Sequence, residues 1–533
     1  MGNEADDESK KKKIEDFPKV VAYPPDFRKT EGRSTIVKLF NNWISYFGGF
    51  IASVMALLIS LNVALTFFSG AENPYGGVFV YILFLPMMVF GLILIPAGMY
   101  RSWRKWQSTG EIPYRKWPYV DFNIKSYRVA AFIFLNFTIL FVLISGVVSY
   151  EAYHFTESLE FCGEMCHEVM HPEAIAYESS PHARVGCSHC HIGSGVSYYT
   201  KSKLSGAYQM YAVIFKTYPK PIPTPLENLR PAQQTCEKCH WPEQFFGAQQ
   251  KQFNYYRYNK ENTHVPINML IKTGGGDPAT GQTAGIHWHM NIGTAVEYIA
   301  RDEKRQDIPW VKITDRTTGR VTVYQDEHNP LSEEEIAAAT PRGMDCMDCH
   351  NRPSHQFKSP DAAVNDAILK GMIDTDIPFI KKVAVEAMVQ ELEDEHEAQK
   401  EIANYITEYY RIEMPDVYRE KRVAIDRAII ATQEAYSTNI FPEMNVKWTY
   451  YFDNIGHFEY PGCMRCHLGE HKDENGIPIT HECKDCHTIL SQGSGEDFKA
   501  SDSPEGLDFK HPADISRIWN VIGCYKCHKG VQP

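Results

Sequence analysis

No cysteine in this chain stands alone, no histidine precedes His154, and three long runs carry no charge. The uncharged runs are Leu39 to Ala71, Asn73 to Tyr100 and Val129 to Tyr150. About 20 residues rising about 1.5 Å each cover a hydrocarbon core of about 30 Å, so each run can cross a bilayer. Three transmembrane α-helices are expected near 45–69, 77–99 and 128–149, with Pro86 and Pro96 bending the second without ending it. A long polar head precedes the first run and no small-residue cleavage site follows at the right distance, so it reads as an uncleaved anchor. Asn62 and Asn136, inside the spans, are expected to hydrogen-bond between helices.

Helices without histidine cannot build a bis-histidine b-type haem inside the membrane, so this chain is not expected to carry electrons across the bilayer. The chain beyond Arg128 is short of positive charge: 38 Lys and Arg stand against 55 Asp and Glu, a balance of −17. Up to Arg128 the balance is 16 against 11, or +5. The large part therefore has the wrong sign for phosphate, which excludes a nucleic-acid binder. With 44% hydrophobic and 23% charged residues among 533, the chain is neither mostly disordered nor built on one core.

The 14 cysteines fall into seven close pairs, each followed at once by histidine. The pairs are Cys162/Cys166, Cys187/Cys190, Cys236/Cys239, Cys346/Cys349, Cys463/Cys466, Cys483/Cys486 and Cys524/Cys527. The histidines are His167, His191, His240, His350, His467, His487 and His528. Two thiols one turn apart can each add to a vinyl group of one porphyrin, and the adjacent histidine then reaches the iron, so CxxCH reads as c-type haem attachment. A disulfide framework would not require histidine after every pair, and zinc sites join two pairs without that regularity. The first motif is irregular, with three residues between its cysteines (Gly163, Glu164 and Met165), but is read as a seventh haem site.

Basic residues orient the chain. Lys10 to Lys13 lie in the head, and Arg101, Arg104, Lys105, Arg115, Lys116, Lys125 and Arg128 lie near the loop between the second and third spans, while the loop at Glu72 has none. Head and second loop are expected in the cytoplasm, which places everything beyond Tyr150 in the periplasm of a bacterial inner membrane, where c-type haems are attached.

The expected fold is three transmembrane α-helices plus a mainly α multihaem cytochrome c domain of low secondary structure, with a small β insert and a helical insert. The segments are a cytoplasmic head (1–44), the membrane anchor (45–149), a region of haems one to three (150–247), a β-rich insert (248–345), haem four with a helical insert (346–462), and haems five to seven (463–533). A proline-rich stretch from Tyr218 to Pro231 reads as an extended connector. Short β runs at Val311 to Thr314 and Val321 to Tyr324 flank a turn near Gly319. Val383, Val385, Met388 and Leu392 fall at helical spacings within 361–436, read as a helical hairpin packed on the haem core.

A low-spin carrier needs a second axial ligand on most irons. Candidates near the motifs are His182, His355, His457, His471, His481 and His511, joined by His287 and His289, which would share one face if their run were a strand. These are eight histidines for six bis-histidine irons. Met170 is a candidate ligand to the first haem, since a thioether can bind iron.

The stretch from Cys162 to Gly247, with the sequences CGEMCHEVM, SSPH, CSHCH, YYTKSKLSGAYQMY and RPAQQTCEKCH, resembles the NapC/NirT family of membrane-anchored quinol dehydrogenases. The seven motifs and three anchor helices are similar to heptahaem inner-membrane cytochromes within it. The resemblance implies oxidation of menaquinol at the first haem, a methionine ligand there (Met170), and a lysine orienting the quinol (Lys201 or Lys203). It departs from the family pattern in the longer first motif, in the position of Met170, and in having Gln209 where an acid follows the lysines. The function expected is a heptahaem quinol dehydrogenase with seven covalent haem c groups, menaquinol from the membrane pool as substrate, and a periplasmic c-type cytochrome or reductase as acceptor. The alternatives are a non-catalytic wiring subunit working with respiratory-complex partners, and a terminal reductase; against the latter, no CxxCK motif occurs.

Overall fold

A computed structural model describes residues 39–69, 84–110, 121–164, 167–192, 196–226, 229–241, 247–274, 285–516 and 518–531. Residues 1–38 of the head, the loop at Glu72 and Cys166 lie outside these residues. The chain forms two compact units, Met1–Leu143 with Gly195–Thr200, and Ile144–Ser194 with Lys201–Pro533.

In the first unit, Trp43–Ser69 and Leu85–Thr109 are helices of 27 and 25 residues, and a third of 31 residues, Lys125–Phe155, begins there. All three are long and apolar enough to cross a membrane, which is consistent with an inner-membrane protein. The first two pack through small residues. A Cβ on Gly48 would lie 2.5 Å from the Gly91 carbonyl oxygen, and one on Gly98 would lie 2.6 Å from Ser45 Oγ, so larger side chains would force the helices apart. Ser45, fully buried, donates from Oγ to the Ile95 carbonyl at 2.9 Å. The polar link between these helices is therefore Ser45. Asn136 instead donates to Phe132 O, 2.7 Å away on its own helix, which corrects the expectation of an interhelical bond. The side chain of Asn62 lies outside the description. Pro86 falls in the first turn of its helix, where its missing N–H costs nothing, and Pro96 lies inside it.

The second unit contains two antiparallel sheets. One has the strand order β1 (Gln249–Tyr256), β2 (His264–Ile271), β8 (His487–Gln492), β9 (Lys499–Ala500). The other runs β6 (Arg342–Gly343), β3 (Thr294–Ile299), β4 (Trp310–Asp315), β5 (Val321–Asp326), β7 (His471–Lys472). The hairpin of β4 and β5 turns at Gly319, whose φ of 74° favours glycine. The 248–345 strands do not make a self-contained insert, because each sheet is completed by strands from the C-terminal haem region. Ile271 pairs with His487, and Asp326 with His471, so edges that would stay open are closed by residues beside motifs.

The 361–436 stretch is more than a hairpin. Helices Pro360–Leu369, Ile380–Met388, Glu395–Glu413 and Arg422–Ser437 pack round a dry core of Ile402, Ile406, Tyr410, Ile425, Val383 and Ala384, all fully buried. Ala398, Ile402, Ile406 and Tyr410 recur every fourth residue, giving one apolar stripe. Ser359 and Asp394 cap two of these helices by accepting from Ala362 N and Glu397 N at 3.1 and 2.8 Å. Each buried isoleucine contributes about 1.5–3 kcal/mol. This segment therefore holds a conventional core that needs no cofactor.

Candidate haem-binding site

Most motifs form a single helical turn. The amides of His240, His350, His467 and His528 donate to the carbonyl of the first cysteine of their own motif, at 2.8, 2.7, 3.0 and 3.0 Å. One closed turn brings both thiols beside the histidine, as attachment at two vinyl groups and one iron requires. Cys162 stands in the π-helical turn Glu160–Glu164, and His167 opens the helix His167–Glu178.

Six motif histidines each face a second histidine. The ring centroids are 6.1 Å apart for His191 and His355, 6.2 Å for His240 and His182, and 6.3 Å for His350 and His287. They are 5.7 Å apart for His467 and His289, 6.2 Å for His487 and His457, and 6.1 Å for His528 and His511. Two imidazoles bound to one metal at about 2.0 Å each place their centroids roughly 6 Å apart, so these gaps fit an iron between the rings. Six of the eight candidate histidines thus stand opposite a motif histidine.

Ring orientation agrees. Nδ1 of His182, His287, His289 and His355 lies at a backbone carbonyl, of Pro353, Thr273, Ile286 and Glu173, at 3.2, 2.6, 2.9 and 3.0 Å, whereas at His511 the Ala513 amide donates to Nδ1 at 3.1 Å. An Nδ1–H donating to a carbonyl leaves Nε2 with a free lone pair for a metal. His471 is the opposite case: its Nε2 meets the Ile308 carbonyl at 2.6 Å in a buried position on β7. His481 is exposed and lies against Gly469. Among the described residues, neither ring stands opposite a motif histidine as those six do, although His471 lies near enough to His467 to bear on its charge. His287 and His289 share a 3-10 turn, Ile286–Met290, rather than a strand. Gly285 opens that turn at a φ of 127°, where a Cβ would lie 2.5 Å from Gly274 O.

Partial burial holds His289, His355, His457, His467, His487 and His528 below the ordinary imidazole pKa, which favours the neutral ring that a metal binds. The motifs also adjoin. A hydrogen bond with Cys162 is the main cause pulling the Cys187 thiol down to about 7. Burial above all, then the thiol of Cys463, pushes Cys349 up to about 12.

Several cysteines, like the motif histidines His191, His240 and His350, are exposed on the polypeptide. Cys190, Cys239, Cys463, Cys483 and Cys527 are exposed. Cys239 and Cys527 each follow a three-residue 3-10 turn, Cys236–Lys238 and Cys524–Lys526, and each donates its amide to the carbonyl of Cys236 or Cys524 at 3.1 Å. A turn this short has no further layer of its own to cover the residue that ends it. Cys239 and Cys527 therefore end their turns at the surface of the polypeptide. An exposed thiol is open to a vinyl group, and the assignment of these two cysteines rests on their motif.

Met170 is half-buried and packs against a cluster containing Phe441 and Met444. Lys201 is exposed on the helix Val196–Ile214, and Gln209 on the same helix donates to Ser205 Oγ at 3.4 Å. The Lys203 side chain lies outside the description. Sequence reasoning missed Asp348 and Arg465, the variable residues of the fourth and fifth motifs, which are tied together as described below. Charged residues inside a CxxCH motif were the available hint.

Three apolar helices and a set of CxxCH turns with facing histidines define a membrane-anchored multihaem c-type cytochrome. Residues 124–222 match the N-terminal region of the NapC/NirT cytochrome c family. The chain is 45% identical over 492 residues, 91% of its own length and 95% of the relative's, to "Cytochrome c-type protein ImcH" of Geobacter sulfurreducens (strain ATCC 51573 / DSM 12127 / PCA). This chain belongs to the ImcH-like c-type cytochromes of the NapC/NirT family. No solved structure matches it.

Proposed function

We propose that this chain oxidises menaquinol at the outer face of the inner membrane. The observation that carries the reading is the continuity between the third apolar helix and the first motif. Glu157 N donates to His154 O, Ser158 N to Phe155 O and Cys162 N to Ser158 O, at 3.1 Å each, so the hydrogen-bonded chain runs from the end of the helix into the Cys162 turn. A lipid-soluble donor can reach a site tied this closely to a span. Seven haem c groups, when bound, would supply the one-electron chemistry that takes both electrons of the quinol to a periplasmic cytochrome or reductase.

The chain's own part is to hold and orient the quinol. Lys201, Ser205 and Gln209 follow at four-residue steps and so share one helix face, with Lys203 on the same helix. An ammonium donating to a quinol oxygen orients it and stabilises the charge that appears as the proton leaves. The two protons leave to solvent water on the periplasmic side. The distal ligands are His355, His182, His287, His289, His457 and His511 on the second to seventh sites, with Met170 as the candidate on the first. The basic second loop supports a cytoplasmic N-terminus and a periplasmic haem region.

Changing Lys201 and Lys203 together to glutamine should slow reduction by menaquinol analogues tenfold or more, on the order of one charge-assisted hydrogen bond. Reduction by dithionite should be unaffected. Unchanged quinol kinetics at full haem content would place the quinol site elsewhere. The intact mass of the purified chain should equal the polypeptide plus seven haems, and a mass with six would remove the Cys162/Cys166 site.

A further inference from the structure

The fourth and fifth motifs are bound to each other on both sides. On the motif side, Arg465 spreads its guanidinium over three main-chain carbonyls. Nε donates to Gly462 O at 2.8 Å, Nη1 to Arg305 O at 2.7 Å and Nη2 to Asp348 O at 2.7 Å. Asp348 and Arg465 occupy equivalent places, just before the second cysteine, in CMDCH and CMRCH. Asp348 is itself fastened. Its buried carboxylate accepts from Tyr298 Oη at 2.7 Å, Arg342 Nε at 2.9 Å, Arg305 Nη1 at 3.1 Å and Asp345 N at 2.8 Å. On the distal side, His287 and His289 leave one 3-10 turn to face His350 and His467, with ring planes at 9° and 89°.

Arg465 therefore meets carbonyls and no carboxylate among its hydrogen bonds, so its use here is the rigid fork of five donors rather than its charge. Gly462, at a φ of 49° and with its Cβ position 1.9 Å from Gly456 O, lets the fifth motif's turn approach closely enough for that fork to reach. We propose that Arg465 is a positioning residue that locks the fourth and fifth haem sites into one rigid double site, fixing the distance and tilt between the two haem planes. The proposal rests on haem attachment at these motifs and is separate from quinol oxidation.

The test compares full-length R465Q and R465K with the parent at equal haem content. The readouts are the Soret-region circular dichroism couplet, which depends on the mutual orientation of neighbouring haems, and the low-spin ferric paramagnetic resonance signals. R465Q should lose part of the couplet and broaden the signals of two haems, whereas R465K, which keeps the charge but not the fork, should recover the couplet only in part. Superimposable couplets and resonances for R465Q and the parent would overturn the proposal, whatever happens to quinol-driven reduction. If R465Q loses haem, R465K decides: an altered couplet supports the lock, and a parental one overturns it.

Discussion

Replacing His287 and His289 together with alanine should leave the haem content intact and turn two of the low-spin ferric haems high-spin. The covalent links at Cys346, Cys349, Cys463 and Cys466 and the ligands His350 and His467 remain, while the rings facing them at 6.3 and 5.7 Å are gone. Paramagnetic resonance of the oxidised protein measures the high-spin fraction, and each single variant should give about half of it, because each ring faces its own motif histidine. His471→Ala provides the contrast. Its Nε2 is taken by Ile308 O, so its loss should lower stability by about 1–3 kcal/mol, through an unpaired buried carbonyl, without producing a high-spin signal. A high-spin signal from H471A with none from the double variant would reverse the assignment.

The largest stability effect is expected at Lys381. Its side chain is fully buried in the helical segment 360–437, where Nζ meets Asp361 Oδ1 at 2.9 Å, Asp361 O at 2.6 Å and Asn365 Oδ1 at 2.7 Å. Removing one partner of a buried pair leaves the other charge uncompensated, so K381M should cost about 3–5 kcal/mol. The double variant with Asp361→Asn should recover part of that loss, and denaturant unfolding of all four proteins measures the coupling. The pH dependence has a definite sign. Burial, opposed by Asp361, holds the Lys381 ammonium below its ordinary pKa, so in the window between the two values the unfolded chain binds the proton more tightly. Stability contributed by this group therefore rises with pH until the ordinary lysine value of about 10.4 is passed, and K381M should lack that rise. A K381M protein as stable as the parent would mean that the buried pair is energetically neutral.

The sequence displays its covalent chemistry openly because attachment is local: a thiol pair and its histidine lie within one turn. The facing ligands are only half legible. Nearness to a motif picks out His182, His355, His457 and His511, but it equally suggests His471 and His481. What separates them is which ring nitrogen the surrounding backbone occupies, and that depends on Ile308 lying beside His471, more than 160 positions away in the chain. The IHWH run reads as a strand by alternation, yet the close approach of Gly274 at Gly285 forces a tight turn. The two sheets are hard to foresee for a similar reason: β8 starts on the motif histidine His487, so its pairing pattern is hidden behind a haem signature. In 361–436 the helical period is visible, but the number of helices is not, since the breaks at Gly371, Pro378 and Pro415 also suit loops at the ends of a hairpin.

The pairing of facing histidines also sets an order in time. On the ligand assignment proposed above, five of the six facing histidines precede their motif in the chain: His182 before His240, His287 before His350, His289 before His467, His457 before His487 and His511 before His528. As the chain emerges, each of these sites can close as soon as its own motif appears. The second site differs, because His191 faces His355, which arrives only after the fourth motif. A nascent chain loaded with haem at Cys187 and Cys190 thus carries an open coordination position through the making of two further motifs. That interval makes the second site the point at which maturation is most exposed to stray ligands and to a chain that stops early.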